Sequence, residues 1–244
     1  MKIIEIQNLN KSYLKPVLNN LTLNLDQGEI IAMVGVNGAG KSTLIEILCG
    51  IRKADSGKIS IFNKEIKSYK DRFEIKKEIG YMPQAFCMYH DLTVKENLIY
   101  LKNIYELDGK ENLVENILEK CFLTEVKDYL AKTLSGGYKQ LLSLACAMIH
   151  KPKLLILDEP TSAMDPLFRK RFWKIIKDYN KENGATVLVT THYSEEIFEC
   201  DKIMFLSKGK IIHSCQTTEI FENGKFKTIT DVLNFYILKE GSYE

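Results

Sequence analysis

The chain has 244 residues, 45% hydrophobic and 27% charged, a composition that excludes a disordered chain, a collagen-like repeat and a small secreted scaffold. At this length roughly 70–75% of the unfolded surface is buried on folding, enough for one or two domains without disulfides or metal. The 34 basic and 32 acidic residues leave a formal charge of only +2, and just four of the basic residues are Arg. Nucleic-acid binders carry a basic stripe and favour Arg as the bidentate reader, so no nucleic-acid partner is expected.

The opening segment MKIIEIQNLNKSYL places Glu5 and Asn8 where a signal peptide needs an unbroken apolar run. No stretch approaches 18 apolar residues, so nothing is expected to span a bilayer. Cys49, Cys87, Cys121, Cys146, Cys200 and Cys215 form no C-x-x-C pair, and buried, reduced thiols in a cytosolic chain are expected.

Strand-like runs come first at 3–7, 21–25 and 29–35, then a helix at about 41–49, then strands at 58–62 and 79–82. From about 94 to 149 the chain reads as almost entirely helical. Thr93 and Glu96 form a capping box ahead of Leu98, Leu101, Ile104 and Tyr105 at helical spacing. Strands return as LLIL at 154–157, TVLVT at 186–190, KIMFL at 202–206 and KIIH at 210–213. LLIL and TVLVT are continuous apolar runs, as in strands of a parallel sheet buried on both faces. The runs before Gly35 alternate more, which predicts an antiparallel segment with one wet face. The pattern is an α/β core interrupted by a helical insertion.

Residues 35–42 read GVNGAGKS and fit G-x-x-x-x-G-K-[ST]. The motif follows an apolar strand and opens a helix that stops at Gly50, a good residue just past a helix end. Glycines let successive N–H groups turn towards phosphate oxygens, and the helix N-terminus adds positive potential. Lys41 would then reach the β- and γ-phosphates, and the Ser42 hydroxyl would ligate Mg²⁺. The bland alternative is a glycine-rich turn with an exposed lysine. LLILDEP supplies what such a loop needs, an acid at the carboxyl end of a buried strand. Asp158 fits as the Mg²⁺ partner, through hydration water. Glu159, on the opposite side of the strand by alternation, could polarise the attacking water.

These residues resemble one family over nearly the whole chain, the ATP-binding subunits of ABC transporters. Six motifs follow the family's order. Tyr13, 22 residues before Gly35, is similar to the aromatic that stacks on adenine, although locally it reads equally well as a strand aromatic. GVNGAGKST carries the phosphate contacts of Gly35, Asn37, Gly38, Ala39, Gly40, Lys41, Ser42 and Thr43. Gln84, in GYMPQ, resembles the glutamine that senses Mg²⁺ and the attacking water. LSGGYKQ resembles the family signature, in which Ser135 is an N-cap and Gly136 and Gly137 allow backbone approach to the γ-phosphate of ATP on a second subunit. LLILDEP is followed by SAMD at 162–165, similar to the loop that contacts the partner subunit, with Asp165–Pro166 a sound N-cap and N1 pair. His192, in VTTHYSEE, resembles the switch histidine that bonds the γ-phosphate. The chain departs from the family at Tyr138, usually Gln, at Leu141, often Arg, and at Met164, more commonly Leu.

The resemblance implies a P-loop NTPase core of ABC type, with an antiparallel β subdomain and an inserted α-helical subdomain. The ATP-binding domain would cover 1–224, its core at about 1–83 and 153–224 and its helical part at about 84–152, with a short extension at 225–244. It implies ATP and Mg²⁺ as cofactors, catalytic roles for Glu159, His192 and Gln84, and a metal site drawing on Ser42, Gln84 and Asp158. The implied partners are a transmembrane permease subunit and a second ATP-binding subunit, a homodimer being compatible with the filled motifs. The chain would sit at the cytoplasmic face of the membrane. GYMPQAFCMYHDLTVKEN and THYSEE are most similar to short exporter ATPases of the ABC-2 type, linked to drug, peptide or polysaccharide export. The alternative is a soluble ABC ATPase with non-membrane partners, as in iron–sulfur cluster assembly. Around Gln84, the residues Tyr81, Met82, Phe86, Met88 and Tyr89 read equally as core or as the border of the groove that receives a permease helix.

Overall fold

The computed structural model describes residues 1–107, 109, 112–162, 164–191, 193–222, 231, 232 and 235. The chain divides into two compact units, one formed by Met1–Lys76 with Thr186–Glu244 and the other by Lys77–Ala185.

The first unit opens with β1 (Lys2–Ser12), β2 (Pro16–Asp26) and β3 (Ile30–Val34), followed by α1 (Lys41–Leu48), β4 (Ser56–Ile61), β5 (Lys64–Glu65) and α2 (Tyr69–Lys76). The second contains β6 (Ile79–Met82), α3 (Val94–Ile104), α4 (Leu113–Lys120), α5 (Gly136–Met148), β7 (Leu154–Asp158) and α6 (Pro166–Asn183). The chain returns to the first unit as β8 (Thr186–Thr190), α7 (Ser194–Ile197), β9 (Lys202–Ser207), β10 (Lys210–Gln216) and α8 (Thr217–Glu222).

In the first unit an antiparallel sheet has the order β2-β1-β4-β5. Asn8 and Asn20 adopt φ of 50° and 53° near register shifts of the β1–β2 pair, where bulges break the alternation. β3 lies parallel to both β8 and β9, and β10 returns antiparallel to β9. All five residues of β3 and of β8 are buried. β1 and β2 thus bear out the antiparallel expectation for the runs before Gly35, whereas β3 does not. Its IIAMV run has no polar residue to alternate, and it pairs in parallel.

In the second unit β6 and β7 run parallel, Met82 opposite Leu157. The segment at 94–149 is less helical than its composition suggests. Phe122 turns at φ 56°, and residues 121–135 hold only two short 3₁₀ turns. Their backbone groups bond across to the α3 entry: Val94 N–H donates to Tyr129 O at 3.0 Å, Lys95 N–H to Lys127 O at 2.9 Å, and Ala131 N–H to Leu92 O at 2.9 Å. These long-range bonds replace the helical ladder. α6 begins as expected, with the Asp165 carboxylate accepting from Leu167 N–H at 2.9 Å and Phe168 N–H at 3.0 Å, and ends at Gly184 with φ 61°. The cysteines are not uniformly buried: Cys87 is exposed and Cys215 half-buried, while burial pushes the Cys121 thiol up to about 12.

The capping box at the head of α3 forms as its sequence requires. Thr93 Oγ1 accepts from Glu96 N–H at 3.1 Å and Glu96 Oε2 accepts from Thr93 N–H at 2.7 Å. Thr93→Ala should therefore lower stability by about 1 kcal/mol. The urea midpoint should fall at unchanged slope, and an unmoved midpoint would show that the cap contributes nothing.

Candidate nucleotide site

In the first unit the turn from β3 into α1 is built around one buried ammonium. Lys41 is only 7% exposed, and its Nζ donates to Gly35 O at 2.8 Å and to Val36 O at 3.4 Å. Two positions in this loop admit no side chain. A Cβ on Gly35 would stand 2.4 Å from Leu206 O of β9, and Gly40 has φ 107° with Val17 O at 2.9 Å from any Cβ. Gly38 also takes a left-handed turn, and the Gly209 N–H donates to Ala39 O at 3.0 Å. Gly40 caps α1 without a side-chain bond, and the first turn contains no acid. The positive end of the helix and the ammonium therefore act on the same loop with no carboxylate in the first turn of α1 to offset them. Asn37, Gly38 and Ser42 are exposed and Thr43 is half-buried. A polyphosphate fits this cradle, because its oxygens would give Lys41 a charged partner in place of carbonyls.

Tyr13 lies in the turn between β1 and β2 with half its surface exposed, unlike a packed strand aromatic. The Lys11 ammonium stands 5.5 Å and the Arg52 guanidinium 5.1 Å from its ring centroid. Arg52 is in turn fixed by Glu46 at 2.5 Å. Sequence reasoning missed Arg52, which lies in the loop after α1 and carries no motif.

In the second unit the parallel pair β6–β7 delivers two sequence-singled residues to one edge. Gln84 follows β6 by two residues and its Nε2 donates to Glu159 Oε2 at 3.0 Å. Asp158 closes β7 with its carboxylate buried. Strand alternation does not direct Glu159: β7 ends at Asp158, and Glu159 has φ 46°, so a left-handed turn sets its direction. The Ser42 hydroxyl of the first unit and the Asp158 carboxylate of the second are each a hard oxygen donor of the kind Mg²⁺ prefers. No cluster of three or more His, Cys, Asp or Glu residues occurs among the described residues.

Ser135 takes the N-cap conformation of α5, but its side chain makes no capping bond, and Ser135 and Gly136 are exposed. Gly137 is different. It is buried, and a Cβ there would lie 2.5 Å from Phe168 Cγ, so the glycine lets α5 approach α6. Tyr138 packs edge-on to the same Phe168 ring at 4.9 Å.

His192 lies outside the described residues. Its neighbours are closely held: Thr191 Oγ1 donates to Glu196 Oε2 at 2.5 Å and accepts from Tyr193 N–H at 3.0 Å. Glu196, 1% exposed, is a second residue that sequence reasoning missed. No motif or period in the sequence marks it.

Residues 18–162 match the sequence family described as ABC transporter. The "Probable multidrug ABC transporter ATP-binding protein YbhF" of Escherichia coli (strain K12) is 35% identical over 215 residues, covering 87% of this chain and 37% of that protein. The linearmycin resistance ATP-binding protein LnrL of Bacillus subtilis (strain 168) is 37% identical over 215 residues, covering 86% of this chain and 68% of that one. The chain thus spans little more than a third of YbhF and about two thirds of LnrL. Among solved structures, a dimeric post-hydrolysis state of the ATP-binding cassette MJ0796 bound to ADP and Pi superposes with a TM-score of 0.80 at 26% identity, covering 88% of this chain and 98% of that chain.

The contact between Gly137 and Phe168 gives a direct test of the α5 entry. Gly137→Ala should destabilise by about 1–3 kcal/mol through overpacking, and Phe168→Leu in the same chain should recover most of that loss. Strict additivity of the two changes in a urea double-mutant cycle would show that the ring and the glycine do not meet.

Proposed function

The chain belongs to the ABC transporter family, and from that premise we propose that it is the ATP-hydrolysing subunit that energises a membrane transporter of the exporter kind. The observation that carries this is Lys41, a buried ammonium that among the described residues donates to the carbonyls of Gly35 and Val36 in its own loop and pairs with no acid. Burying a cation without an anionic partner is costly, and nucleotide phosphates would supply that partner. Gly35, Asn37, Gly38, Ala39, Gly40, Lys41, Ser42 and Thr43 take the phosphates. Tyr13, already a face for two cations, stacks on adenine. Mg²⁺ held by Ser42, Asp158 and Gln84 would neutralise charge developing on the phosphates.

Hydrolysis falls to Glu159, whose carboxylate polarises the attacking water, with Gln84 holding that carboxylate and His192 bonding the γ-phosphate. Ser135, Gly136 and Gly137 of a second copy close over the nucleotide head to tail. What supports this is an exposed helix end whose serine hydroxyl is not used for capping. ATP binding closes the dimer and hydrolysis reopens it. The core covers about 1–83 and 153–224, the helical subdomain about 84–152.

Among the described residues no helix is long and apolar enough to cross a membrane, so the permease is a separate partner or a separate part of the protein. Its docking surface is the aromatic face beside Gln84. Tyr89 is 54% and Tyr100 39% exposed, their rings pack edge-to-face at 4.7 Å, and their hydroxyls meet at 3.0 Å. Ile99 and Ile104 extend the exposed apolar surface of α3, while Met82 is core. The chain works at the cytoplasmic face of the membrane. The names of YbhF and LnrL, a multidrug transporter protein and a linearmycin resistance protein, favour export of the drug type.

Lys41→Ala should lower the rate of ATP hydrolysis by about 10²–10³-fold, in line with deletion of one preorganised donor. Phosphate release at the parental rate would refute the site. Glu159→Gln should keep nucleotide affinity, abolish turnover and accumulate an ATP-bound dimer. Sedimentation of that variant with MgATP at high protein concentration should show twice the monomer mass, and a persistent monomer would reject the head-to-tail closure.

A further inference from the structure

In the first unit β4, β5, α2 and the turn after α1 line an open pocket of about 300 Å³, which shares Arg52 with the Tyr13 face. Five cationic side chains line it, Arg52, Lys53, Lys58, Lys67 and Arg72, against two acids, Asp55 and Glu65. Both acids are engaged. Asp55 accepts from Lys11 Nζ at 2.6 Å and from Ser12 N–H at 2.7 Å, and Glu65 pairs with Lys67 at 2.8 Å. Arg52 is held by Glu46. Lys53, Lys58 and Arg72 have no acidic partner among the described residues.

A second, independent feature borders this pocket. α2 turns two aromatic rings to solvent, Tyr69 at 75% and Phe73 at 56% exposure, while Ile75 on its other side is buried. Tyr69 and Phe73 are four residues apart and so share one helix face. Arg72 connects the two features, lining the pocket with its guanidinium 6.0 Å from the Tyr69 centroid. Of the acids of α2, Glu74 pairs with Lys64, and Asp71 is turned to the helix entry, where it accepts from the Ser68 hydroxyl at 2.7 Å and Ser68 N–H at 2.8 Å.

We propose that this face binds the anionic phospholipid headgroups of a membrane surface. A lipid phosphate enters the pocket against Lys53, Lys58 and Arg72, and the rings of Tyr69 and Phe73 settle at headgroup depth. A soluble phosphate would use the cations but has no use for two exposed rings, whereas aromatic side chains flanked by basic residues suit the bilayer interface. Vesicle binding of this kind belongs to the isolated chain and needs neither nucleotide nor permease. Its failure would leave the ATPase assignment standing, and loss of the ATPase assignment would leave it measurable.

The test is co-sedimentation of the full chain, without nucleotide, with vesicles of phosphatidylcholine alone or with about one third phosphatidylglycerol. Binding to the anionic vesicles only, weakening with salt, is the expected result. The variant Lys53→Gln/Lys58→Gln/Arg72→Gln should bind about 100-fold more weakly, since each cation near such a surface contributes roughly fivefold. Tyr69→Ser/Phe73→Ser should also lose binding, by about tenfold or more, and Lys53→Arg/Lys58→Arg should keep it, which separates charge from misfolding. Equal binding to neutral and anionic vesicles, or parental binding by either loss variant, would overturn the proposal. So would saturable binding of glycerol phosphate by a chain that ignores vesicles, since the pocket would then serve a soluble phosphate.

Discussion

The ammonium of Lys41 governs the first unit. A lysine this deeply buried needs compensation, and two backbone carbonyls supply only part of it. The bare N-terminus of α1 adds potential of the same sign. Left to local forces, such a loop would open and hydrate its charge. It is held closed by the strands beneath it: β3 is buried along its whole length between β8 and β9, and Leu206 O approaches Gly35 too closely for any side chain. The hydrophobic burial of three strands thus sustains a local concentration of positive charge, which an anionic ligand relieves. Ligand binding and stability are therefore linked, and a polyphosphate should raise the unfolding midpoint of this unit by mass action.

The second unit applies the same device with the opposite charge. β7 is apolar until Asp158, so the hydrophobic strand carries a carboxylate to its own end and buries it there. Glu159 then takes a left-handed turn, which costs a non-glycine residue energy that the buried strand absorbs. Its carboxylate is received by Gln84, carried to the same edge by the parallel register of β6. An amide suits that position. It donates to the ionised carboxylate without neutralising it, and it has an oxygen left to accept from water or face a cation.

Much of this was legible in the sequence because the signals were dense and local. Continuous apolar runs at 154–157 and 186–190 marked doubly buried strands, and Asp165–Pro166 marked the start of α6. What escaped was set by tertiary partners. Residues 121–135 look helical but spend their backbone groups on residues 92–95. Strand alternation misdirects Glu159, because a left-handed turn at a non-glycine residue leaves no compositional trace. Gly137 reads as room for a phosphate, yet its tightest constraint is a ring 31 positions away in the chain. Arg52 and Glu196 act through side-chain pairs, with Glu46 and Tyr13 for the first and Thr191 for the second, and pair geometry of that kind has no period to detect.

The same ring explains how the chain tolerates its departure from the family signature. Tyr138 replaces the usual glutamine and packs edge-on against Phe168, on whose ring the Arg171 guanidinium also lies at 5.5 Å. The larger side chain is accommodated between α5 and α6, where Gly137 has already made space for the ring. Ser135 and Gly136 at the helix end stay exposed and unaltered. The substitution therefore changes the flank of the helix from an amide to an aromatic ring while leaving its exposed N-terminal end unaltered. Any second subunit that closes on this helix would meet an aromatic flank there in place of an amide, which changes the groups that can pack against it.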